Sequence, residues 1–199
     1  MLDLWIYEKA ALKEGYLLVC GVDEAGRGSL AGPVYSAAVV LHPGTDIPGL
    51  DDSKKLSEKT RNRLFDIITD VALDYAIGFA DSREVDDLNI LNATYLSMNR
   101  AISKLNISPD IVLVDGNRAN GVHYQCRCIV GGDGKSATIA AASILAKVSR
   151  DRYMLEMADL YPQYCFERHK GYGTKLHYDR LRTYGPCEIH RATFLKKGF

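Results

Sequence analysis

The chain has 199 residues, 25 Lys or Arg against 25 Asp or Glu, and 47% hydrophobic residues, a length that fits one domain with a small appended subdomain and an apolar share sufficient for its own core. Asp3, Glu8, Lys13 and Glu14 interrupt the first residues before any signal peptide or membrane span can form, so a soluble cytoplasmic protein is expected. Cys20, Cys126, Cys128, Cys165 and Cys187 are an odd set without a C-x-x-C pair, which argues against a disulfide framework or a zinc site and for reduced thiols.

In chain order, the apolar run Tyr16 to Val22 reads as a strand that stops at Asp23. The β-branched and Ala-rich run Val34 to Leu41 reads as a second, so the pair flanks a glycine-rich turn as a hairpin. Ser57 is a good N-cap, Glu58 follows in the first turn, and Leu64, Ile67, Ile68 and Val71 recur at helical spacing, which predicts an amphipathic helix. A strand over Tyr75 to Ala80 precedes a helix over Ile90 to Leu105, with Leu91, Tyr95, Met98 and Ile102 on one face. Ile111 to Val114 is a short continuous apolar run ending at Asp115-Gly116, the pattern of a buried central strand. A weaker strand near Tyr124 to Val130 leads through Gly131-Gly132-Asp133-Gly134 into a helix from Thr138 to Leu160. That helix opens on the small residues Ala140 to Ser143, which permit close approach to a sheet. Strands first, then alternating strand and helix, predict an α/β fold: a mixed sheet with helices on its faces.

From Pro162 the chain is richer in Tyr, His, Arg and Gly, which places a boundary between a main domain, residues 1–160, and an extension, residues 161–199. The extension carries eight Lys or Arg against three Asp or Glu, a basic end suited to neutralising phosphates beside a net acidic remainder.

Asp23, Glu24, Asp115 and Asp133 each sit beside glycine or at a predicted strand end. A lone Asp in such a place is more often a turn former, so the weight lies on the set. Carboxylates brought together repel unless cations neutralise them, and oxygen-only ligands suit Mg²⁺ or Mn²⁺. Two such ions about 4 Å apart activate water and stabilise the leaving oxygen in phosphodiester hydrolysis. Of two other phosphate motifs one fails and the other, a P-loop ATPase, stays only as a weak alternative. Gly26-Arg27-Gly28-Ser29-Leu30-Ala31 matches G-x-G-x-x-A, but Pro33 and a strand follow it where a dinucleotide fold needs a helix. Gly134-Lys135-Ser136 ends like a Walker A loop but has Ile129 where that loop needs glycine.

The segments GVDEAGRGSLAGPV (21–34), DSKKLS (52–57), LVDGNR (113–118), GGD (131–133), IAAASILAKVSRD (139–151) and HKGYGT (169–174) together resemble the bacterial ribonuclease HII family, in that family's order. The resemblance implies a ribonuclease H-like mixed sheet flanked by helices, with a small C-terminal helical extension that contacts nucleic acid. It implies a cytoplasmic monomer that uses two Mg²⁺ or Mn²⁺ ions to cut RNA–DNA hybrids, and duplex DNA carrying single ribonucleotides, on the 5′ side of the ribonucleotide. The products would carry 3′-OH and 5′-phosphate ends.

Matched motif to motif, Asp23, Glu24, Asp115 and Asp133 become the catalytic, metal-binding carboxylates, with Asp23 shared between the ions. Gly26, Arg27 and Gly28 are similar to the loop that reads the ribose 2′-OH through its backbone, where a side chain would block approach. Tyr172 resembles the tyrosine that packs on the following sugar and rejects a hydroxyl there. Lys54, Lys55, Lys147, Lys170 and Arg168 stand as phosphate contacts, with ordinary surface charge the stronger reading for Arg168; His42, His123, His169, His177 and His190 are not needed as bases beside a metal-activated water. Gly134 departs from the small hydroxyl residue usual after Asp133, which bears on loop stiffness. A hybrid-binding module without chemistry would have no use for acidic residues on a polyanion-binding face. A type I ribonuclease H spaces its carboxylates differently and lacks the Gly-Arg-Gly loop. Residues 195–199 are too short and basic to read as a recruitment motif for another protein.

Overall fold

The computed structural model describes residues 3–195; the ends of the chain, including the last four residues of the basic extension and of the segment considered for recruitment, lie outside the described residues. A mixed five-stranded sheet has the order β3-β2-β1-β4-β5. Its strands are β1 (Val19–Ala25), β2 (Val34–Val40), β3 (Asp74–Ala80), β4 (Ile111–Asp115) and β5 (Cys126–Ile129). β1 pairs antiparallel with β2, and β2 with β3, while β1–β4 and β4–β5 are parallel. This is the expected fold class.

Helices cover both faces. α2 (Glu58–Val71) and α4 (Ala137–Leu160) pack on one, where Leu64 and Ile68 meet Ala37, Val39 and Ile144. α3 (Ser82–Ser103) packs on the other, where Tyr95, Met98 and Ile102 meet Cys20, Val22, Val112 and Val114. α4 lies exceptionally close to β1: a Cβ added at Gly21 would come within 2.2 Å of the Thr138 carbonyl carbon. The small residues Ala140–Ser143 are all buried along that seam, as their size predicts.

Three boundaries differ from the sequence expectation. β1 starts later and runs through Asp23 and Glu24, because Asp110 draws Leu17 N and Leu18 N out of the ladder while the pairing with β2 continues to Ala25. α3 starts at Ser82 on an Asp81–Glu84 capping box and is interrupted at Asn89, φ 65°. The Asn89 side chain accepts from Leu91 N and Asn92 N and restarts the helix, so the periodicity from Ile90 reported only the second half. A first helix, α1 (Ile6–Lys13), also precedes the sheet, and its Glu8 is 1% exposed. Glu8 Oε1 accepts from Ser136 Oγ, Thr138 N and Thr138 Oγ1, placing a carboxylate at the N-terminus of α4, where the helix dipole favours it.

Beyond α4 come α5 (Phe166–His169), α6 (Lys175–Tyr184) and α7 (Ala192–Leu195). Tyr164, Phe166 and Leu181 from this part share one apolar cluster with Met154 and Ala158 of α4 and with Leu30 and Ala31. Next to it lies a chain of neutral imidazoles. His177 Nδ1 donates to Tyr172 O at 3.0 Å, its Nε2 lies 3.0 Å from His190 Nε2, and His190 Nδ1 accepts Cys187 N–H at 2.9 Å. One proton per ring satisfies these three contacts, and a second would set two N–H groups face to face. Burial, with the adjacent imidazoles, lowers His177 and His190 from 6.5 to about 4.

A depressed histidine pKa means that the unfolded chain binds the proton first, so the stability these rings contribute is complete above pH 6.5 and is lost as pH falls toward 4. The urea midpoint should therefore decline across that window more steeply in the wild type than in His190→Gln. Equal slopes would show that the rings titrate as free histidine does.

Candidate metal centre

Strand alternation decides which carboxylates meet. Successive side chains of a strand face opposite ways, so Asp23 shares with Gly21 the face that α4 covers, and Glu24 leaves on the other side. On β4 the same rule puts Asp115 with Ile111 and Leu113, which pack under α4 through Ile139. Asp133 arrives from the turn Gly132–Gly134, just before α4 begins at its N-cap Ser136. Carboxylate oxygens of Asp23, Asp115 and Asp133 thereby lie within 4.8 Å of one another.

Backbone groups fix the cluster. Asp115 Oδ1 accepts from Gly132 N at 2.7 Å, tying the end of β4 to the Asp133 turn, and Ala137 N donates to Leu4 O on the far side of that turn. Glu24 lies outside the three-carboxylate group but lines the same cleft, its Oε1 3.3 Å from Arg27 Nη1. Asp23 and Asp133 are buried. Burial, with Glu24 and Asp115 alongside, pushes Asp23 well above the usual carboxylate range, and burial pushes Glu24 and Asp115 up as well. Three converging carboxylates are a donor set for a hard divalent cation, which would offset the repulsion that raises Asp23 and Asp115. The residues present fit Mg²⁺ or Mn²⁺ on chemistry and proximity.

The remaining predicted residues divide between two places. The turn Ser53–Lys55 is held to α4 by Ser53 Oγ on Ser143 Oγ at 2.8 Å, so that Lys54 Nζ reaches Asp133 Oδ2, also at 2.8 Å. That contact raises the Lys54 pKa further. Lys147, one turn beyond Ser143, pairs with Asp151 and stands 5.6 Å from the Tyr172 ring centroid. Gly26, Arg27, Gly28, Lys54, Lys147 and Tyr172 line one cleft of about 250 Å³ with Asp23, Glu24 and Asp115. Lys55 instead pairs with Asp51 and lines a separate groove beside Trp5 and Gly134, and Lys170 Nζ turns back onto Glu167 O.

Gly26 and Gly28 are glycine for different reasons. Gly26 has φ +95°, and a Cβ there would fall 2.0 Å from Arg150 Nε. A Cβ at Gly28 would meet no protein atom within 4 Å, so the space it leaves opens on the cleft.

Sequence reading missed Glu8, Arg150 and Arg191. Arg191 was counted in the basic surplus of the extension, yet it is fully buried, and its guanidinium is bonded to backbone carbonyls rather than free for phosphate. An isolated Arg carries no local signal of this. Burial without a carboxylate partner could be read only from the fold.

Residues 20–197 match the family model described as Ribonuclease HII. A ribonuclease HII from Caldicellulosiruptor bescii is 55% identical over 95% of this chain and 92% of its own length. The crystal structure of ribonuclease H2 from Pyrococcus horikoshii OT3 superposes with a TM-score of 0.74 at 27% identity, covering 91% of this chain and 96% of that one. Bst-RNase HIII, solved in complex with Mn²⁺, shares the fold with a TM-score of 0.65 at 20% identity, over 88% of this chain and 65% of that one.

Because the carboxylates repel when no cation is bound, Asp23→Asn should raise the metal-free stability by roughly 1–2 kcal/mol. Mn²⁺ should raise the melting temperature of the wild type and leave that of the variant nearly unchanged, as read by differential scanning calorimetry. A variant that is less stable without metal, or equally stabilised by Mn²⁺, would remove Asp23 from the site.

Proposed function

The chain belongs to the ribonuclease HII family, and from that premise we propose that it hydrolyses the phosphodiester on the 5′ side of ribonucleotides, in RNA–DNA hybrids and at single ribonucleotides in duplex DNA, leaving 3′-OH and 5′-phosphate ends. Family membership makes it a nuclease, an endoribonuclease of RNA–DNA hybrids. The observation that carries the finer reading is one cleft in which Asp23, Glu24 and Asp115, the open side of Gly28 and the Tyr172 ring converge.

Asp23, Asp115 and Asp133 would hold the metal ions, with Glu24 completing the set from the adjacent side of β1. Bound Mg²⁺ or Mn²⁺ ions, two in our reading, supply Lewis acidity toward the scissile phosphate and lower the pKa of the attacking water. The Mn²⁺ bound by Bst-RNase HIII supports that choice of ion class. Gly28 presents bare backbone to the ribose, and a hydroxyl that both donates and accepts is what separates ribose from deoxyribose. Tyr172, joined to the loop by a β-bridge to Ser29, presents its ring to the next sugar, where an added hydroxyl would clash. Lys54 and Lys147 supply positive charge at the cleft wall for phosphates.

We assign the chemistry to residues 1–160 and part of the duplex contact to residues 161–199, in a monomer acting in the cytoplasm. None of the described helices is long and apolar enough to cross a membrane.

A labelled strand carrying one ribonucleotide in duplex DNA, with product ends mapped in Mg²⁺ and in Mn²⁺, tests the reaction. Cleavage 5′ to the ribonucleotide, none of all-DNA duplex, and a loss of roughly 10³-fold or more in Asp23→Asn, Asp115→Asn and Asp133→Asn are expected. Cutting restricted to runs of several ribonucleotides would overturn the junction reading.

The two glycines should separate. Gly28→Ala should keep stability within about 0.5 kcal/mol of wild type while losing most cleavage, whereas Gly26→Ala should cost ~2 kcal/mol or more of stability. Chemical denaturation beside the cleavage assay distinguishes them, and full activity in Gly28→Ala would remove the ribose from that position.

A further inference from the structure

Arg150 of α4 and Arg191, just before α7, are both 0% exposed. A buried cation is costly unless well paired, yet none of the hydrogen bonds from these guanidinium groups goes to a carboxylate. Arg150 donates to Pro33 O and Ala31 O, both at 3.0 Å, to Ser29 Oγ at 2.7 Å and to Lys170 O at 2.9 Å. Arg191 donates to Gly32 O at 2.9 Å, Arg27 O at 3.0 Å and Gly26 O at 2.8 Å. Six of these seven acceptors belong to the loop between Gly26 and Pro33.

The side of the loop that faces the arginines fixes the side that faces the cleft. In a trans peptide the C=O and the following N–H point in opposite directions, and the described chain has no cis bond. Arg191 draws in the carbonyls of Gly26 and Arg27, which turns the N–H groups of Arg27 and Gly28 away from it. The neighbouring amides are satisfied: Ser29 N donates to Gly26 O, Leu30 N and Ala31 N to Gly171 O, and Gly32 N to Ile189 O. Arg27 N and Gly28 N have no protein acceptor among the described residues, and both residues line the cleft. Two adjacent free donors thus sit on a backbone whose reverse side is held by two cations.

We propose that Arg150 and Arg191 are positioning residues for substrate discrimination: together they hold the carbonyl side of the 26–33 loop so that the Arg27 and Gly28 N–H groups are pre-aimed at the ribose hydroxyl. The proposal rests on the reading of this loop as the 2′-OH contact. Arg191 reaches the loop alone. Arg150 also stands 5.2 Å from the Tyr172 ring centroid and holds the Lys170 carbonyl two residues before it, so it sets the loop and the ring against each other. Pre-aimed donors save the cost of ordering them on binding, which is where an arm's-length residue gains its effect on affinity.

The test uses the full chain with Arg191→Lys and Arg150→Lys, which keep the charge and lose the fork. Affinity is measured in Ca²⁺ for two duplexes that differ by one 2′-OH, and Mn²⁺ binding is followed by calorimetry. Each variant should lower the preference for the ribonucleotide duplex by about tenfold, with all-DNA affinity and Mn²⁺ affinity as in the wild type. In Arg191→Ala, millimolar guanidinium should restore the preference. Arg150→Lys should in addition reduce the distinction between a single ribonucleotide and a ribonucleotide run, which Arg191→Lys should leave alone.

A folded Arg191→Lys with the wild-type preference, or one that loses Mn²⁺ affinity in parallel, overturns the proposal while leaving the loop reading in place. A wild type that binds the two duplexes equally overturns the loop reading and the proposal with it. Should Arg191→Lys not fold, Arg150→Lys decides: a lowered preference with unchanged Mn²⁺ affinity supports the clamp, and an unchanged preference overturns it.

Discussion

Gathering the oxygens of Asp23, Asp115 and Asp133 to within 4.8 Å, with Asp23 and Asp133 buried, sets charges against one another that the chain would separate if it were free to do so. Each is held by backbone it cannot easily leave. Asp23 is in the middle of a paired strand, Asp115 ends a parallel strand and is bonded to the Gly132 amide, and Asp133 sits in a turn closed by the capped start of α4. Glu8 extends this support by one layer, since it bonds the residues on which that turn depends. The tight seam between Gly21 and Thr138 belongs to the same account, because a wider seam would let the Asp133 turn retreat from β1.

Much of this was legible in the sequence because the relevant signals are local. The Ile111 to Val114 run, the N-cap at Ser57 and the small residues of α4 reported their own surroundings, and the carboxylates next to glycine reported an open sheet edge. The kink at Asn89 hid half a helix, because an asparagine that restarts a helix looks like a start. Long-range roles were silent. Arg191 and its acceptor in Gly26 are 165 residues apart, and Glu8 is 128 residues from Ser136, so no periodicity joins them. Charge counting even pointed the wrong way for Arg191, since a surplus says nothing about which cations are buried. Alternation along β1 would have separated Asp23 from Glu24 in advance had the strand been extended to Ala25.

The residues after α4 are thus more than a basic surface beside the sheet. They supply half of the cage behind the 26–33 loop and the apolar floor on which Leu30 and Ala31 rest. The neutral imidazole chain under Tyr172 ends on that residue's own carbonyl, so the ring faces the cleft from a backbone bonded on both sides.

α4 joins these parts, with Ser136 capping it beside the carboxylate cluster and Arg150 reaching the loop from its middle. From Ala137 to Arg150 a helix rises about 20 Å, and each residue turns it by about 100°. Inserting or deleting one residue in that stretch would swing Arg150 out of the loop's cage, or else move the capped end away from Asp115. Length variation in this protein is therefore confined by geometry to the connections outside this stretch. In kin that carry out the same reaction, the count of residues between the capping serine and the loop-holding arginine should be as fixed as the carboxylates themselves.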